Sequence, residues 1–294
     1  MPEIADHMSL ERLRAAAIAA HPEFEHSHFS LLADGWDSVA LDVDDRFILK
    51  FPRHDLGESG LRNEGKLLSL VTRFCDLPVP QPASFERPRF HTMHRKLAGT
   101  ALDPAAYAKL DEAERHEIGG QLGRFYAQLH AIEPALWREA GAGPVQTWLD
   151  ASAIRRLITS ILPSDLRTWA EPALERWAQL PPDPLGSVHG YFDGHGWNMA
   201  YDATNHQLTG VFDFGDAGFG PLHQEFIYSN LISPDLTCRI MDSYERHGGR
   251  KLDRDRITLL TDIHRLWELA EEHQHPENIE TMIEAARAWL AVRP

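Results

Sequence analysis

Cysteine is scarce in this chain of 294 residues, which contains only Cys75 and Cys238. Because the two are isolated and form no CxxC pair, we expect no disulfide framework or thiolate metal site, and we interpret both as reduced cysteines of a cytoplasmic protein. Long apolar runs are missing too, since no window of about 18 uncharged apolar residues occurs, which argues against a membrane span. The first residues carry acids without a preceding basic stretch, so no signal peptide is expected.

Basic residues are outnumbered, with 29 Lys and Arg against 44 Asp and Glu and a formal net charge of −15. Nucleic-acid binding requires a concentrated positive surface, so this balance argues against a nucleic-acid partner. An acidic cleft that attracts a cationic substrate is compatible with it, and so is simple solubility. The 17 His residues form no HExxH or comparable ligand pattern, so no zinc site is predicted.

Three polar residues between residues 187 and 221 have an order and spacing that favour one function. Asp193 is followed five residues later by Asn198, and Asp213 ends an apolar run within Val211–Asp216. Each residue alone is an ordinary turn residue. Phosphoryl transfer, however, needs a positioned hydroxyl and divalent cations on the phosphates, and D-x4-N followed by D-F-G supplies both. The combination predicts a kinase site in which Asp193 accepts the hydroxyl proton while Asn198 and Asp213 hold Mg²⁺.

A second pair lies upstream. Lys50 ends a short β-rich apolar run, and Glu64 follows 14 residues later on a helical face that it shares with Leu61 and Leu67. A strand Lys that holds nucleotide phosphates and a helix Glu that orients the Lys form the ion pair that kinases require. We predict this role for Lys50 and Glu64, with ATP or GTP as the phosphoryl donor.

These pieces resemble the aminoglycoside phosphotransferase family, nearest to its 2″-hydroxyl-modifying branch. The resemblance runs from about Ser30 to about Glu225 and is most specific in its last segment. Five segments carry it: Phe47–Arg53, Leu77–Pro82, Lys96–Leu102, Leu122–His130 and Leu208–Ala217. It implies a bilobal protein-kinase-like α+β fold, with an antiparallel-sheet N-lobe (residues 1–96) and a larger, mostly helical C-lobe (residues 97–294).

The resemblance also implies where a nucleotide binds. Gly35 and Ser38 belong to a hairpin whose turn would lie over the phosphates, and the backbone of Lys96, Leu97 and Ala98 would meet the purine. The family usually writes His-Gly-Asp four residues before the Asn, whereas here His189-Gly190 is followed by Tyr191-Phe192-Asp193. Counting back from Asn198 places Asp193 at the catalytic position. Counting from His189 would place Tyr191 there, and a phenol with a pKa of about 10 is no base near neutral pH.

The acceptor is expected to be a small molecule with a hydroxyl group, bound by helices after residue 220. We predict helices at 111–130, 223–231, 236–247, 255–273 and 276–292. Glu225, Glu268 and Glu272 are the candidate substrate acids, although for Glu225 we favour a structural role that ties down the loop. An aminoglycoside is one acceptor; choline, a sugar amine, a macrolide or another metabolite would use the same machinery, and a catalytically silent nucleotide-binding relative is a further alternative. No obligate protein partner is evident.

Overall fold

The computed structural model describes residues 8–34 and 37–294. Its N-terminal part is built on a five-stranded antiparallel sheet in the order β1-β2-β3-β5-β4. The strands are β1 (Phe29–Asp34), β2 (Ser38–Val43), β3 (Phe47–Pro52), β4 (Ala83–Phe85) and β5 (His91–Arg95).

Alternating side chains give this sheet two different faces, because successive residues of a strand point to opposite sides. Val39, Leu41 and Val43 of β2 are buried in one core together with Leu13 of the N-terminal helix α1 (Leu10–Ala20). The intervening Ala40 lines a cavity on the other side. The sheet therefore presents one face to a core and the opposite face to a cleft.

Helix α2 (Asp55–Phe74) follows β3 directly. Its N-terminus is capped by His54, whose Nδ1 accepts a hydrogen bond from Gly57 N at 3.1 Å. The 3.6-residue period brings Leu61, Leu67 and Glu64 onto the buried face of the helix. A carboxylate thus enters the interior beside β3.

The remaining chain is mostly helical. Its helices are α3 (Pro104–Ala108), α4 (Glu112–Ala131), α5 (Pro134–Glu139), α6 (Ala151–Ile158), α7 (Ser164–Gln179), α8 (Pro234–Arg246), α9 (Arg254–Glu271) and α10 (Pro276–Val292). A capping box begins α4, because Asp111 accepts from Glu114 N at 2.9 Å and Glu114 accepts from Asp111 N at 2.7 Å. Helices α4 and α8 pack closely at Gly123, where an added Cβ would lie 2.5 Å from Ile240 O.

Two short antiparallel two-stranded sheets interrupt the helices. Strand β6 (Ser187–Gly190) pairs with β9 (Gly218–Pro221), and β7 (Met199–Asp202) pairs with β8 (Gln207–Val211). The loops between these strands contain the motif residues Asp193, Asn198 and Asp213. The two strand pairs therefore fix the loops at both ends.

The predicted helices at 111–130, 236–247, 255–273 and 276–292 are confirmed to within about two residues at each end. The helix predicted at 223–231 is wrong, since this stretch forms two 3₁₀ helices, Leu222–Phe226 and Tyr228–Leu231. Its polar side chains are buried and bonded to other elements, as when His223 Nδ1 pairs with Asp183 at 2.9 Å. Short 3₁₀ turns suit such a segment better than a regular amphipathic helix.

Within the described ranges, no helix combines the length and the apolar character that crossing a membrane requires.

Candidate active site

A cavity of about 590 Å³ lies between the sheet and the helical part. Leu32, Ala40 and Ile48 line it from the sheet, and Met199 and Phe212 line it from the strand pairs. Charged groups converge at one end of this apolar space. This is the usual composition of a cofactor site, in which apolar walls surround a few placed polar groups.

Lys50 and Glu64 form an ion pair at the polar end. Lys50 Nζ lies 3.0 Å from Glu64 Oε1 and 3.5 Å from Asp213 Oδ1. Burial by itself lowers the pKa of Lys50, but the carboxylates of Glu64 and Asp213 raise it overall, so the ammonium group stays charged. The predicted pair is therefore formed, and its positive charge faces the larger cavity.

The Asp213 segment is fixed to the same pair. Phe214 N donates to Glu64 Oε1 at 3.2 Å, which holds the backbone next to Asp213. Asp213 adopts φ = 63°, a left-handed conformation that is uncommon for a non-glycine residue. About half of its side chain is exposed to the cavity. Such strain is found where a surrounding structure positions a functional group.

Asp193 and Asn198 meet in the loop after β6. Asn198 Nδ2 donates to Asp193 Oδ2 at 2.6 Å and to Asp193 O at 3.2 Å. Both residues line the larger cavity, and Asp193 also lines a second, smaller cavity on the other side of the loop. The five-residue spacing thus brings the carboxylate and the amide into one hydrogen-bonded unit.

Tyr191 is fully buried beneath this loop. Its hydroxyl donates to the Phe212 carbonyl, and its ring centroid lies 4.6 Å from that of Phe214. Burial raises the pKa of Tyr191 well above its usual value, so the phenol remains a neutral donor. The cleft position belongs to Asp193, whereas Tyr191 ties the loop to the Asp213 segment.

Glu225 supports the loop from below. It has no exposed surface, and its Oε1 accepts from the backbone N–H groups of Tyr191 and Phe192 at 3.2 Å each. Phe192 adopts φ = 54°, directly before Asp193. The carboxylate fits only because position 190 is glycine, where an added Cβ would lie 1.6 Å from Glu225 Oε2. The prediction that Glu225 contacts an acceptor directly is therefore wrong. Glu225 instead holds the backbone of the loop.

Like charges are concentrated between the two cavities. Burial, with Asp216 and Asp213 nearby, raises the pKa of Asp193 to about 9. Burial and the same Asp213 raise the pKa of Asp216. Repulsion among these carboxylates would be relieved by a cation. Within residues 8–34 and 37–294 no group of three or more His, Cys, Asp or Glu could itself hold a metal ion.

The oxygen donors nevertheless suit Mg²⁺. Asn198 and Asp213 both line the larger cavity and offer an amide and a carboxylate oxygen. Mg²⁺ typically takes only one or two protein ligands and completes its shell with water and substrate phosphates. The residues present therefore fit a phosphate-bridged magnesium ion.

The predicted nucleotide contacts are placed unevenly. Gly35 lies outside the described residues, and Ser38 is the first residue of β2 beside that gap. Lys96 N donates to Arg46 O at 2.9 Å, and Ala98 O accepts from the Thr209 hydroxyl. The predicted purine contact through the backbone of Lys96, Leu97 and Ala98 stays a prediction, although the Lys96 N–H is already bonded within the protein backbone.

The other two predicted acceptor acids lie in different places. Glu268 lines the smaller cavity, where Arg265 Nη2 lies 2.7 Å from its Oε2. Glu272 instead accepts from Asn278 Nδ2 at 2.8 Å, at the junction between α9 and α10. Glu268 is thus the member of the set that meets the cavity.

Three residues of the site were not predicted. Asp216 faces the smaller cavity, His195 Nε2 lies 3.2 Å from Asp193 Oδ1, and the ring of Trp197 stacks on that of His195 at 4.1 Å. Burial lowers the pKa of His195 to about 3, so the ring beside Asp193 is neutral. The available signal was position, since His195 and Trp197 lie between Asp193 and Asn198.

Comparison with known proteins follows this geometry. The sequence profile described as the phosphotransferase enzyme family matches residues 28–288. The GDP complex of wild-type aminoglycoside 2'-phosphotransferase-IIIa is similar with a TM-score of 0.80 at 19% identity, over 97% of this chain and 99% of that one. For ADP-bound aminoglycoside phosphotransferase APH(2'')-Ib the TM-score is 0.62 at 16% identity, over 99% and 97%.

The apoenzyme of macrolide 2'-phosphotransferase MphH from Brachybacterium faecium has a TM-score of 0.62 at 17% identity, over 88% of this chain and 91% of that one. At such identities the likeness shows the fold. The predicted protein-kinase-like α+β fold, with an antiparallel N-terminal sheet and a helical C-terminal part, is confirmed.

Proposed function

The chain belongs to the phosphotransferase enzyme family, and from its site we propose transfer of the γ-phosphoryl group of ATP or GTP to a hydroxyl of a small molecule. The observation that carries this proposal is the place of Asp193, which borders both cavities. One cavity can hold the donor and the other the acceptor. A carboxylate between them is where a hydroxyl must lose its proton.

We assign the donor to the larger cavity. Lys50, held by Glu64 at 3.0 Å, would pair with the phosphates. The backbone of Lys96, Leu97 and Ala98 would meet the purine through groups other than the Lys96 N–H, which is bonded to Arg46 O. Two structurally similar phosphotransferases were solved with GDP and with ADP, which supports a nucleotide donor without choosing between the bases.

Asn198 and Asp213 would hold Mg²⁺ through their oxygens. The cation would offset charge on the phosphates and on the neighbouring carboxylates. Lys50 lies 3.5 Å from Asp213 and adds a fixed positive charge on the same side. The chain itself supplies the orientation of these groups, through the Phe214 N–H bond to Glu64 at 3.2 Å.

The chemical step then depends on Asp193. It would orient the acceptor hydroxyl and take its proton as the oxygen–phosphorus bond forms and the bond to the bridging oxygen breaks, releasing nucleoside diphosphate. Asn198 Nδ2 donates to one carboxylate oxygen at 2.6 Å, and His195 Nε2 lies 3.2 Å from the other. The carboxylate is thus held in place before the acceptor arrives.

The acceptor is proposed as a class, a small alcohol. Aminoglycosides and macrolides are named for the similar structures, and choline-type alcohols or another metabolite would use the same machinery. We also retain as proposals a lobe boundary at residues 96 and 97 and a cytoplasmic location.

The test compares Asp193→Asn with Tyr191→Phe. We expect Asp193→Asn to lower turnover by about 10²-fold or more, the usual scale for a lost general base, while Mg²⁺-nucleotide affinity changes little. Tyr191→Phe removes only the bond to Phe212 O and should retain most activity. Nucleoside diphosphate release and nucleotide titration give the two readouts. If Tyr191→Phe loses activity and Asp193→Asn keeps it, the assignment of Asp193 as the base is wrong.

A further inference from the structure

The smaller cavity limits the size of what can bind beside Asp193. It has a volume of about 200 Å³ and lies between Asp193 and helix α9. Pockets for drug-sized ligands span about 300–1,000 Å³. The cavity therefore accommodates about one ring, with the reacting hydroxyl directed at Asp193.

Its one acid from α9 is already paired. Glu268 Oε2 lies 2.7 Å from Arg265 Nη2, and the Arg265 side chain is 8% exposed. His264 Nδ1 also lies 3.5 Å from the same oxygen. Burial raises the pKa of Glu268 to about 7 against the opposing effect of Arg265. Glu268 thus offers no free negative charge to a ligand.

The other acids of the C-terminal helices serve contacts elsewhere. Asp235 pairs with Arg239 at 2.9 Å and Glu245 with Lys251 at 2.6 Å. Neither carboxylate is among the groups lining the smaller cavity. Several ammonium groups need several desolvated carboxylates, since an unpaired buried charge is costly. The described helices do not provide them.

Aromatic rings surround the cavity instead. Trp148 and Trp267 stack with centroids 6.0 Å apart, and Tyr228 meets His264 edge-on at 5.3 Å. The ring of His264 also lies 5.5 Å from that of Trp148. Flat aromatic faces bind apolar ring surfaces without requiring charge.

Polar groups of neutral type complete the wall. Gln146 and Gln224 line the cavity together with Asp193 and Asp216. A glutamine amide offers both donors and acceptors, which matches the hydroxyl group, itself both donor and acceptor. Asp193 and Asp216 belong to the acidic group beside Asp213, whose charge a bound cation would offset.

We propose, on the basis of the proposed function, that the acceptor is a single uncharged polyhydroxylated ring, a pyranose or cyclitol, recognised by stacking on Trp148 and Trp267 and by hydrogen bonds to Gln146 and Gln224. The Arg265–Glu268 pair is a specificity element that disfavours ammonium groups. On the α9 side a polyamine would meet Glu268 already paired with Arg265, and the other lining carboxylates, Asp193 and Asp216, belong to the acidic group whose charge the cation would offset.

The test is a transfer assay with acceptors matched in shape and differing in charge. Glucose and protonated glucosamine form one pair, myo-inositol is a second neutral ring, and choline and kanamycin represent a quaternary ammonium and a polyamine. We expect kcat/KM for the neutral rings to exceed that for each charged compound by about tenfold or more. Mg²⁺-dependent nucleotide hydrolysis without acceptor is measured beside it.

Variants of the wall separate recognition from chemistry. Trp148→Ala should raise KM for the neutral ring by about tenfold with a smaller change in kcat, and Trp148→Phe should restore most of the lost affinity. Glu268→Gln should leave the preference for the neutral ring in place. A preference for kanamycin or choline that Glu268→Gln removes would overturn the inference.

The outcomes distinguish the two proposals. Hydrolysis together with better use of a charged acceptor, or with no transfer to either neutral ring, overturns the acceptor class and leaves the nucleotide chemistry standing. Absence of both hydrolysis and transfer overturns the proposed function itself.

Discussion

The two cavities on either side of Asp193 differ in how their residues are brought together. The larger one, of about 590 Å³, takes its charged groups Lys50, Asn198 and Asp213 from strand ends and short loops. The smaller one, of about 200 Å³, takes Trp148, Gln224 and Trp267 from three separate segments. Phosphoryl chemistry therefore depends on local spacing, whereas acceptor recognition depends on how distant segments pack.

The largest expected effect concerns the larger cavity alone. Asp213→Ala should weaken nucleotide binding in the presence of Mg²⁺ by about 100-fold or more, because a metal ligand is lost where phosphate charge is greatest. Asp213→Asn keeps an oxygen at the same place and should lose less. Calorimetric titration with and without Mg²⁺ measures both. An unchanged metal dependence in Asp213→Ala would move the cation to other residues.

A smaller effect is expected at Gly190, which makes room for Glu225 beneath the Asp193 loop between the two cavities. In Gly190→Ala the new Cβ would lie 1.6 Å from Glu225 Oε2. We expect a loss of about 1–3 kcal/mol in the free energy of unfolding, as for other overpacked positions, together with slower turnover. Gly60→Ala on helix α2 is the control, since no atom lies within 4 Å of its added Cβ. Urea unfolding measures the stability of both variants. If Gly190→Ala proves as stable as Gly60→Ala, Glu225 does not hold the loop.

The smallest expected effect is the change of stability with pH, which depends on two buried histidines near the smaller cavity. Burial lowers the pKa of His195 and of His189, on neighbouring β6, to about 3. In the unfolded chain both titrate near 6.5, so their contribution is complete above about pH 6.5 and is lost as pH falls toward about 3. Acid should therefore destabilise the fold in this range.

His189→Phe tests this directly. The imidazole stacks on Trp137 with centroids 3.5 Å apart, and a phenyl ring keeps that packing without a titrating group. The slope of unfolding free energy against pH between about 6.5 and 4 should become shallower, by at most about 1.4 kcal/mol per pH unit. Parallel curves for the two proteins would show that His189 already binds its proton in the folded state.

The same division explains what the sequence could predict. Lys50 and Glu64, like Asp193 and Asn198, are close in sequence and lie on a strand, a helix or a loop. The ion pair predicted for Lys50 and Glu64 forms at 3.0 Å. The kinase-like fold was implied by the family resemblance that these pieces and their order carry.

The acceptor side could not be predicted in that way. Glu225 was a candidate substrate acid with a structural alternative, and only the fold shows that it lies under the loop, bonded to two backbone N–H groups. Glu268 looked free, yet Arg265 lies 2.7 Å away on the next turn. Both outcomes depend on tertiary burial, and the helix predicted at 223–231 failed for the same reason.

The most direct test of the account is whether one cavity can be changed without affecting the other. Ala40→Phe fills the larger cavity from β2, and Trp148→Ala removes a wall of the smaller one. Calorimetric titration with Mg²⁺-nucleotide should show an affinity at least about tenfold weaker for Ala40→Phe, or about 1.4 kcal/mol, and within about twofold of the unmodified protein for Trp148→Ala. Equal weakening in both variants would contradict separate donor and acceptor sites on either side of Asp193.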